Sequence, residues 1–396
     1  MNFDSVRSPE ARAQGLDIRT LSGALLLSFA FGSIHAFGVL LQPLQSSLQS
    51  DRASVSMVYS LAIVSLTIGV YASSYLGLRV SKRMLTFACG LVGSCGLLLA
   101  AYGPGLHTCL LGYGLVFGFC NGAAYSMTLE QAAASAPRKS GLTVGLATAA
   151  FGAGAATYSY VLGPIATQEG STSALVLLAA HLLTASLMAG CLFRPACEGL
   201  APRHKVAASV SIARRPIARL WLIYFLGASG GLMAIAHGPA IANQAGASMQ
   251  EASWASILIA IGSISGSVFG GSWMERVGAR NALVMPISLS LFAHFGLILS
   301  PELDLVFTLL LLCGISYGAL IAAVPVIVRS LHGDASFKAV FGRIFSAWGM
   351  AGLLAPAVAG SIYDATGHYT AALWGSIALA GLACALTLVK SNARWD

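Results

Sequence analysis

Apolar stretches of span length recur along nearly the whole chain, parted by short polar breaks. A helix crossing the hydrocarbon core needs roughly 20 mostly apolar residues. Reading each break as a pair of ends predicts twelve spans, near 20–42, 54–75, 84–103, 107–129, 140–163, 172–193, 219–243, 251–272, 281–300, 303–328, 341–362 and 370–390. Unsatisfied backbone groups cannot face lipid, so a spanning chain is helical or a closed barrel. The apolar runs are continuous and not alternating, which excludes a barrel. The expected fold class is an all-α membrane protein with twelve transmembrane helices.

Composition agrees with the pattern. Of 396 residues, 57% are apolar and 9% charged, against about a quarter charged in a soluble domain. The formal charge of +8 raises the question of a polyanionic partner, and the placement of the charges answers it. With both termini inside, every Lys and Arg except Arg52 falls on one side of the predicted membrane, in clusters such as Arg79, Lys82 and Arg83 or Arg276 and Arg280. This is the positive-inside bias, so the basicity reports orientation, the lipid bilayer is the partner, and no nucleic acid is implied. Residues 1–19 are polar and precede an apolar run too long for a cleavable signal; the first helix is expected to stay in the mature chain. The expected location is the inner membrane, multi-pass, with cytoplasmic termini. The eight cysteines lie mostly within apolar spans and form no C-x-x-C pair, which reads as small buried residues with no metal or disulfide framework.

The longest polar stretch follows the sixth span and divides the chain into residues 1–193, a linker at 194–218, and residues 219–396. Sliding one half on the other by 197 positions superposes Leu78-Arg79-Val80-Ser81-Lys82-Arg83 on Glu275-Arg276-Val277-Gly278-Ala279-Arg280, and Ala150-Phe151-Gly152 on Ala347-Trp348-Gly349. Two separated matches at one offset predict a duplicated unit, hence two six-helix bundles. Parallel repeats of this kind build carriers whose midplane site, between the halves, faces each side in turn.

The stretch Gly271-Ser272-Trp273-Met274-Glu275-Arg276-Val277-Gly278-Ala279-Arg280 resembles the loop signature of the major facilitator superfamily: a glycine, then an acid followed by arginine, a glycine and further basic residues. An acid with arginines at a cytoplasmic helix end can pair across helices and with a helix terminus, making Glu275, Arg276 and Arg280 gating candidates. The first-half copy has Leu78 for the acid and Ser81 for the glycine, which predicts a weaker latch there. Within the superfamily the chain is most similar to the oxalate/formate antiporter and monocarboxylate porter group, through Ala36-Phe37-Gly38-Val39-Leu40-Leu41-Gln42-Pro43-Leu44-Gln45, Arg52-Ala53-Ser54-Val55-Ser56, Ser346-Ala347-Trp348-Gly349 through Pro356, and Tyr363-Asp364-Ala365-Thr366-Gly367. The resemblance implies the major facilitator fold and carriage of small carboxylates. The cations that bind carboxylate in the group's dicarboxylate carriers are replaced here, the helix 8 arginine by Ser267 and the helix 11 lysine by Trp348. Ser263 stands where proton-coupled members have an aspartate.

Ionisable residues within spans are functional candidates. His35 in the first span and His237 in the seventh lie in helices that line the cavity of this fold, and histidine titrates near neutral pH. Each is a candidate for proton coupling and substrate binding, with Gly238-Pro239 expected to break the helix beside His237; otherwise each is a hydrogen-bonded structural residue. His294 is assigned toward the lipid-facing side. Glu130 and Arg329, near the inner ends of the fourth and tenth spans, form a candidate inner gate, with Glu130 also a candidate proton carrier. Asn121 and Tyr125 share a helical face. With Phe151, Tyr158, Ser263, Ser267, Tyr317, Phe345 and Trp348 they make up the remaining candidate substrate wall, although aromatic residues more often pack than bind.

No Walker loop and no nucleophile-and-base motif occurs, so neither ATP-driven transport nor enzymatic activity is expected, and no cofactor is implied. The reading is a secondary transporter of a small organic solute, expected as a monomer. Proton-coupled carriage of a monocarboxylate or related weak acid comes first. The alternatives are a carrier of a larger neutral or zwitterionic compound, such as a siderophore, peptide fragment or drug, and a non-transporting membrane sensor.

Overall fold

The computed structural model describes residues 16–50, 52–76, 80–193, 214–300 and 302–389. The polar N-terminal stretch through residue 15, Leu78 and Arg79 of the first loop, and linker residues 194–213 lie outside the described residues.

Among the described residues there are twelve α-helices and no strand. Helix α1 (Ile18–Gly32) leads through a 3₁₀ segment, Ser33–Ala36, into α2 (Phe37–Leu48). Then follow α3 (Arg52–Leu76), α4 (Lys82–Tyr102) and a short α5 (Leu106–Cys109), which passes through a π-helical stretch, Leu110–Phe117, into α6 (Gly118–Ser135). The chain continues as α7 (Ser140–Gln168), α8 (Ser171–Leu192), α9 (Arg214–Gln244), α10 (Met249–Leu299), α11 (Leu303–Thr366) and α12 (Thr370–Leu388). Helices α10 and α11 each turn at one glycine, Gly278 (φ 77°, ψ 166°) and Gly333 (φ 70°, ψ 170°). Only glycine occupies that region readily, so each long helix is two helices joined at a corner. Nine described segments are long and apolar enough to cross a membrane, residues 254–299 being a single one of them that includes the Gly278 corner.

The outer surface is apolar. Phe269 is 71% exposed and Phe292 63% exposed, a degree that water does not tolerate over a whole surface and lipid does. Inside, the helices meet through small residues. A Cβ on Gly122 would lie 1.8 Å from the Leu66 carbonyl oxygen, and one on Gly32 would lie 2.0 Å from that of Phe151; side chains larger than hydrogen would hold these helices apart. At its start, α10 is closed by a capping box in which the Ser248 hydroxyl accepts from the Glu251 N–H (3.2 Å) and the Glu251 carboxylate accepts from the Ser248 N–H (2.9 Å). The Ser248 hydroxyl, followed by its N–H, holds the Glu251 carboxyl below the ordinary range.

Two expectations about helix continuity are corrected. Helix α9 runs unbroken through Pro239, as membrane helices do where neighbouring helices or local adjustments can take up a freed carbonyl. The interruption falls instead in the first predicted span, between α1 and α2 at Ser33–Ala36, where no proline stands. Helix α9 also begins at Arg214, inside the expected linker, with Pro216 in its first turn, where a missing N–H is harmless.

Candidate functional site

Helices of the two halves meet at two places related by the internal repeat. On α7 and α10, a Cβ on Gly145 would lie 2.4 Å from the Ser267 carbonyl oxygen, and one on Gly141 would lie 2.0 Å from that of Gly271. On α11 and α3, a Cβ on Gly342 would lie 2.7 Å from the Tyr71 Cα, and one on Gly349 would lie 2.3 Å from the Thr67 hydroxyl. Gly145 and Gly342 are mates at the 197-residue offset. Both contacts lie toward the end that carries Arg138, Lys139 and Arg343, so the halves are pressed together at the basic end.

Glu275 completes this closure. Its Oε1 accepts from the Gly141 N–H at 2.6 Å and from the Ser140 hydroxyl at 3.1 Å, placing a carboxylate on the N-terminus of α7, where unpaired N–H groups and the helix dipole favour negative charge. Arg280 donates to the Leu388 carbonyl at 3.0 Å, tying α10 to the end of α12. Arg276 is exposed. Glu275, Arg280, Arg138 and Arg329 line a cleft of ≈880 Å³ at this end. Of the expected inner-gate pair, Glu130 forms an ion pair with Lys82 at 3.0 Å within the first half, and Arg329 lines the cleft beside Glu275 and Arg280.

Above the closure lies a cavity of ≈500 Å³ lined from both halves. Its lining obeys the repeat: His35 and Leu232, Gly38 and Ile235, Tyr59 and Ser256, Leu66 and Ser263, Thr148 and Phe345, and Phe151 and Trp348 are each 197 positions apart and all line it. Tyr125, Tyr317 and Ser267 contribute as well. Gly38, Ile235 and Ser256 are exposed on the side away from the basic end. The floor is aromatic and crosses between the halves. Tyr125 packs on Phe151 (centroids 4.9 Å apart) and on Phe345 (5.7 Å), and Phe345 stacks on Trp348 (5.0 Å). The Trp348 indole N–H donates to the Tyr317 hydroxyl at 2.9 Å.

His35 is the imidazole of this cavity. Its Nδ1 lies 2.7 Å from the Tyr59 hydroxyl, and its ring packs edge-on against Phe151 and Trp348. Among the lining residues there is no Lys, Arg, Asp or Glu.

Of the expected substrate wall, the structure brings together His35, Tyr125, Phe151, Ser263, Ser267, Tyr317, Phe345 and Trp348. Three placements are corrected. His237 is not in the lining: its Nε2 faces the Pro356 carbonyl oxygen at 2.9 Å and its Nδ1 the Tyr369 hydroxyl at 3.0 Å. Asn121 turns away, with Nδ2 donating to the Phe31 carbonyl at 2.6 Å. Tyr158 packs on Phe29 and His181. His294 is fully buried between the Ser290 and Gly230 carbonyls, not turned toward lipid. Ser267 lines the cavity but also donates to the Gly318 carbonyl at 3.2 Å. Tyr59, Thr148, Leu232 and Ser256 were not anticipated, although the 197-residue offset pairs each with another lining position.

A sequence model of the Major Facilitator Superfamily matches residues 21–236 and again residues 220–394. The chain belongs to the Major Facilitator Superfamily. Among relatives of this facilitator protein, the uncharacterized MFS-type transporter YhjX of Escherichia coli K12 is 22% identical over 84% of each chain. Monocarboxylate transporter 13 of Rattus norvegicus is 25% identical over 93% of this chain and 87% of its own. Among solved structures, the proton:xylose symporter XylE bound to 6-bromo-6-deoxy-D-glucose superposes with a TM-score of 0.78 at 13% identity, over 93% of this chain and 94% of its own. The fucose:proton symporter FucP of E. coli superposes at 0.71 and 14% identity, over 94% and 98%. The protein is a multi-pass membrane transporter and not an enzyme.

Proposed function

We propose that this facilitator protein is a proton-coupled secondary transporter of a monocarboxylate or related weak acid, working by alternating access. It does so as a monomer in the inner membrane, with twelve spans, cytoplasmic termini, bundles at 1–193 and 219–396 and a linker at 194–218. The observation that carries the reading is the cavity between the halves, closed at the basic end and holding one imidazole, His35, in an aromatic and hydroxyl wall. A protonated His35 matches one negative charge, which suits a monoanion and leaves a dianion half-compensated in a poorly solvated site. Glu275 on the N-terminus of α7 and Arg280 on the end of α12 act as the inner gate, with Arg276 and Arg329 beside them. Release of Glu275 accompanies opening to the basic side. The likeness to proton:sugar symporters and to monocarboxylate transporter 13 supports coupling to protons and the weak-acid class.

A carrier of a larger neutral or zwitterionic compound is the second reading, favoured by a lining free of fixed charge and furnished with Ser256, Ser263 and Thr148. Purified protein in proteoliposomes decides between them. Radiolabelled C2–C6 monocarboxylates should accumulate when the outside is acidic, and collapse of the proton gradient should stop accumulation. Gradient-driven uptake of xylose or a dipeptide but of no monocarboxylate would move the assignment to the second reading. Flux of none of these solutes would favour a membrane sensor.

A further inference from the structure

The helix carrying His35 is interrupted where nothing in its own sequence demands it. Ser33–Ala36 contains neither proline nor glycine, yet it is wound as a 3₁₀ turn, and Ala36 (φ −78°, ψ 2°) leaves the helical region before α2 begins. A 3₁₀ turn inside a helix has poorer hydrogen-bond geometry than the α-helix it replaces, so partners from outside are needed to favour it.

Two such partners stand on the helix behind it. The Asn121 amide of α6 donates to the Phe31 carbonyl at 2.6 Å, and the Tyr113 hydroxyl in the π-helical stretch donates to the Ile34 carbonyl at 3.1 Å. Both side chains are fully buried. A carbonyl can only accept, which fixes Nδ2 as the Asn121 atom that meets it, and its Oδ1 has no hydrogen-bond partner among the described residues. One accepting carbonyl, Phe31, lies just before the interruption and the other, Ile34, within it, and neither donor is among the cavity's lining residues. On the cavity face, His35 meets the Tyr59 hydroxyl of α3, Phe151 of α7 and Trp348 of α11. If α1 and α2 formed one regular helix, the fewer residues per turn of the 3₁₀ segment would be lost and His35 would rotate relative to the residues before it.

We propose that Asn121 and Tyr113 are positioning residues of the transport site: by donating to the Phe31 and Ile34 carbonyls they hold the 3₁₀ interruption and so aim His35 into the cavity. The proposal rests on the transporter reading only for what His35 does once it is aimed; the aim itself is backbone geometry, and it can be read without transport.

The test is the rate at which diethyl pyrocarbonate modifies His35 in the purified full-length protein, followed by peptide mass spectrometry, with the exposed His107 and His368 as internal references. Tyr113→Phe removes one donor and keeps the ring contacts with Phe37 and Phe117; Asn121→Leu removes the other and keeps the branching at Cγ. Each should change the His35 rate by about fivefold, the population ratio that one ordinary hydrogen bond supports, while His107 and His368 react as before. Asn121→Asp, which carries a donor when protonated, should bring the His35 rate, taken relative to His107 and His368, back toward that of the unaltered protein at the same low pH. A His35 rate in Tyr113→Phe equal to that of the unaltered protein would overturn the proposal and assign the interruption to the close approach of Gly32 and Phe151. Because Tyr113→Phe is isosteric, it decides the matter even if Asn121→Leu does not fold.

Discussion

His35 and His237 look alike in the sequence, each an imidazole within a span that lines the cavity in this fold, and the structure separates them. The 197-residue offset already sets Leu232, not His237, opposite His35, and His237 sits farther along α9, held by Pro356 and Tyr369. The roles should therefore differ on substitution. His35→Ala is expected to abolish accumulation driven by a proton gradient and to weaken counterflow of labelled solute without abolishing it, since the group that carries the proton also matches the substrate's charge. His237→Ala should lower the thermal midpoint in detergent by removing two half-buried polar contacts, about 1 kcal/mol each at most, and leave gradient-driven uptake intact. Loss of coupling in His237→Ala with the midpoint unchanged would return that residue to the site. Asn121 shows the limit of face arguments: it is one turn from Tyr125, but a carbonyl of the interrupted α1 captures its amide.

At the scale of elements, the basic ends of α7 and α10 are held by backbone contact at Gly141 and Gly271 and by Glu275 on the α7 terminus. A carboxylate in such a position is worth about 1 kcal/mol, or roughly a fivefold bias between closed and open basic ends. Glu275→Ala should shift the distribution of spin-label distances between the basic ends of α7 and α10 toward the longer population by that ratio. An unchanged distribution would leave the closure to glycine packing alone. The acid and the glycine were legible in the sequence motif. That the acid meets a helix N-terminus of the other half was not, because a local motif carries no information about which distant helix end it will face.

For the whole molecule, α3 meets α11 where Thr67 packs on Gly349, and alternating access requires this contact to open. Thr67→Cys with Gly349→Cys, in a background lacking the other cysteines, should cross-link on oxidation and arrest transport, and a reductant should restore it. Transport that persists in fully cross-linked protein would exclude a rocking motion across this seam. The sequence by itself determined the solvent, the helical class and the two-fold repeat, because each follows from local hydrophobicity or from self-similarity along one dimension. It also supplied eight of the cavity residues, through their spans and the resemblance. Tertiary structure alone decided the rest: the 3₁₀ turn at Ser33–Ala36, the pairing of Glu130 with Lys82, and the exclusion of Asn121, Tyr158 and His237 from the cavity. Each of these depends on which carbonyl, hydroxyl, ammonium group or ring a neighbouring helix presents, and helical periodicity fixes a residue's face without naming the neighbour that the face will meet.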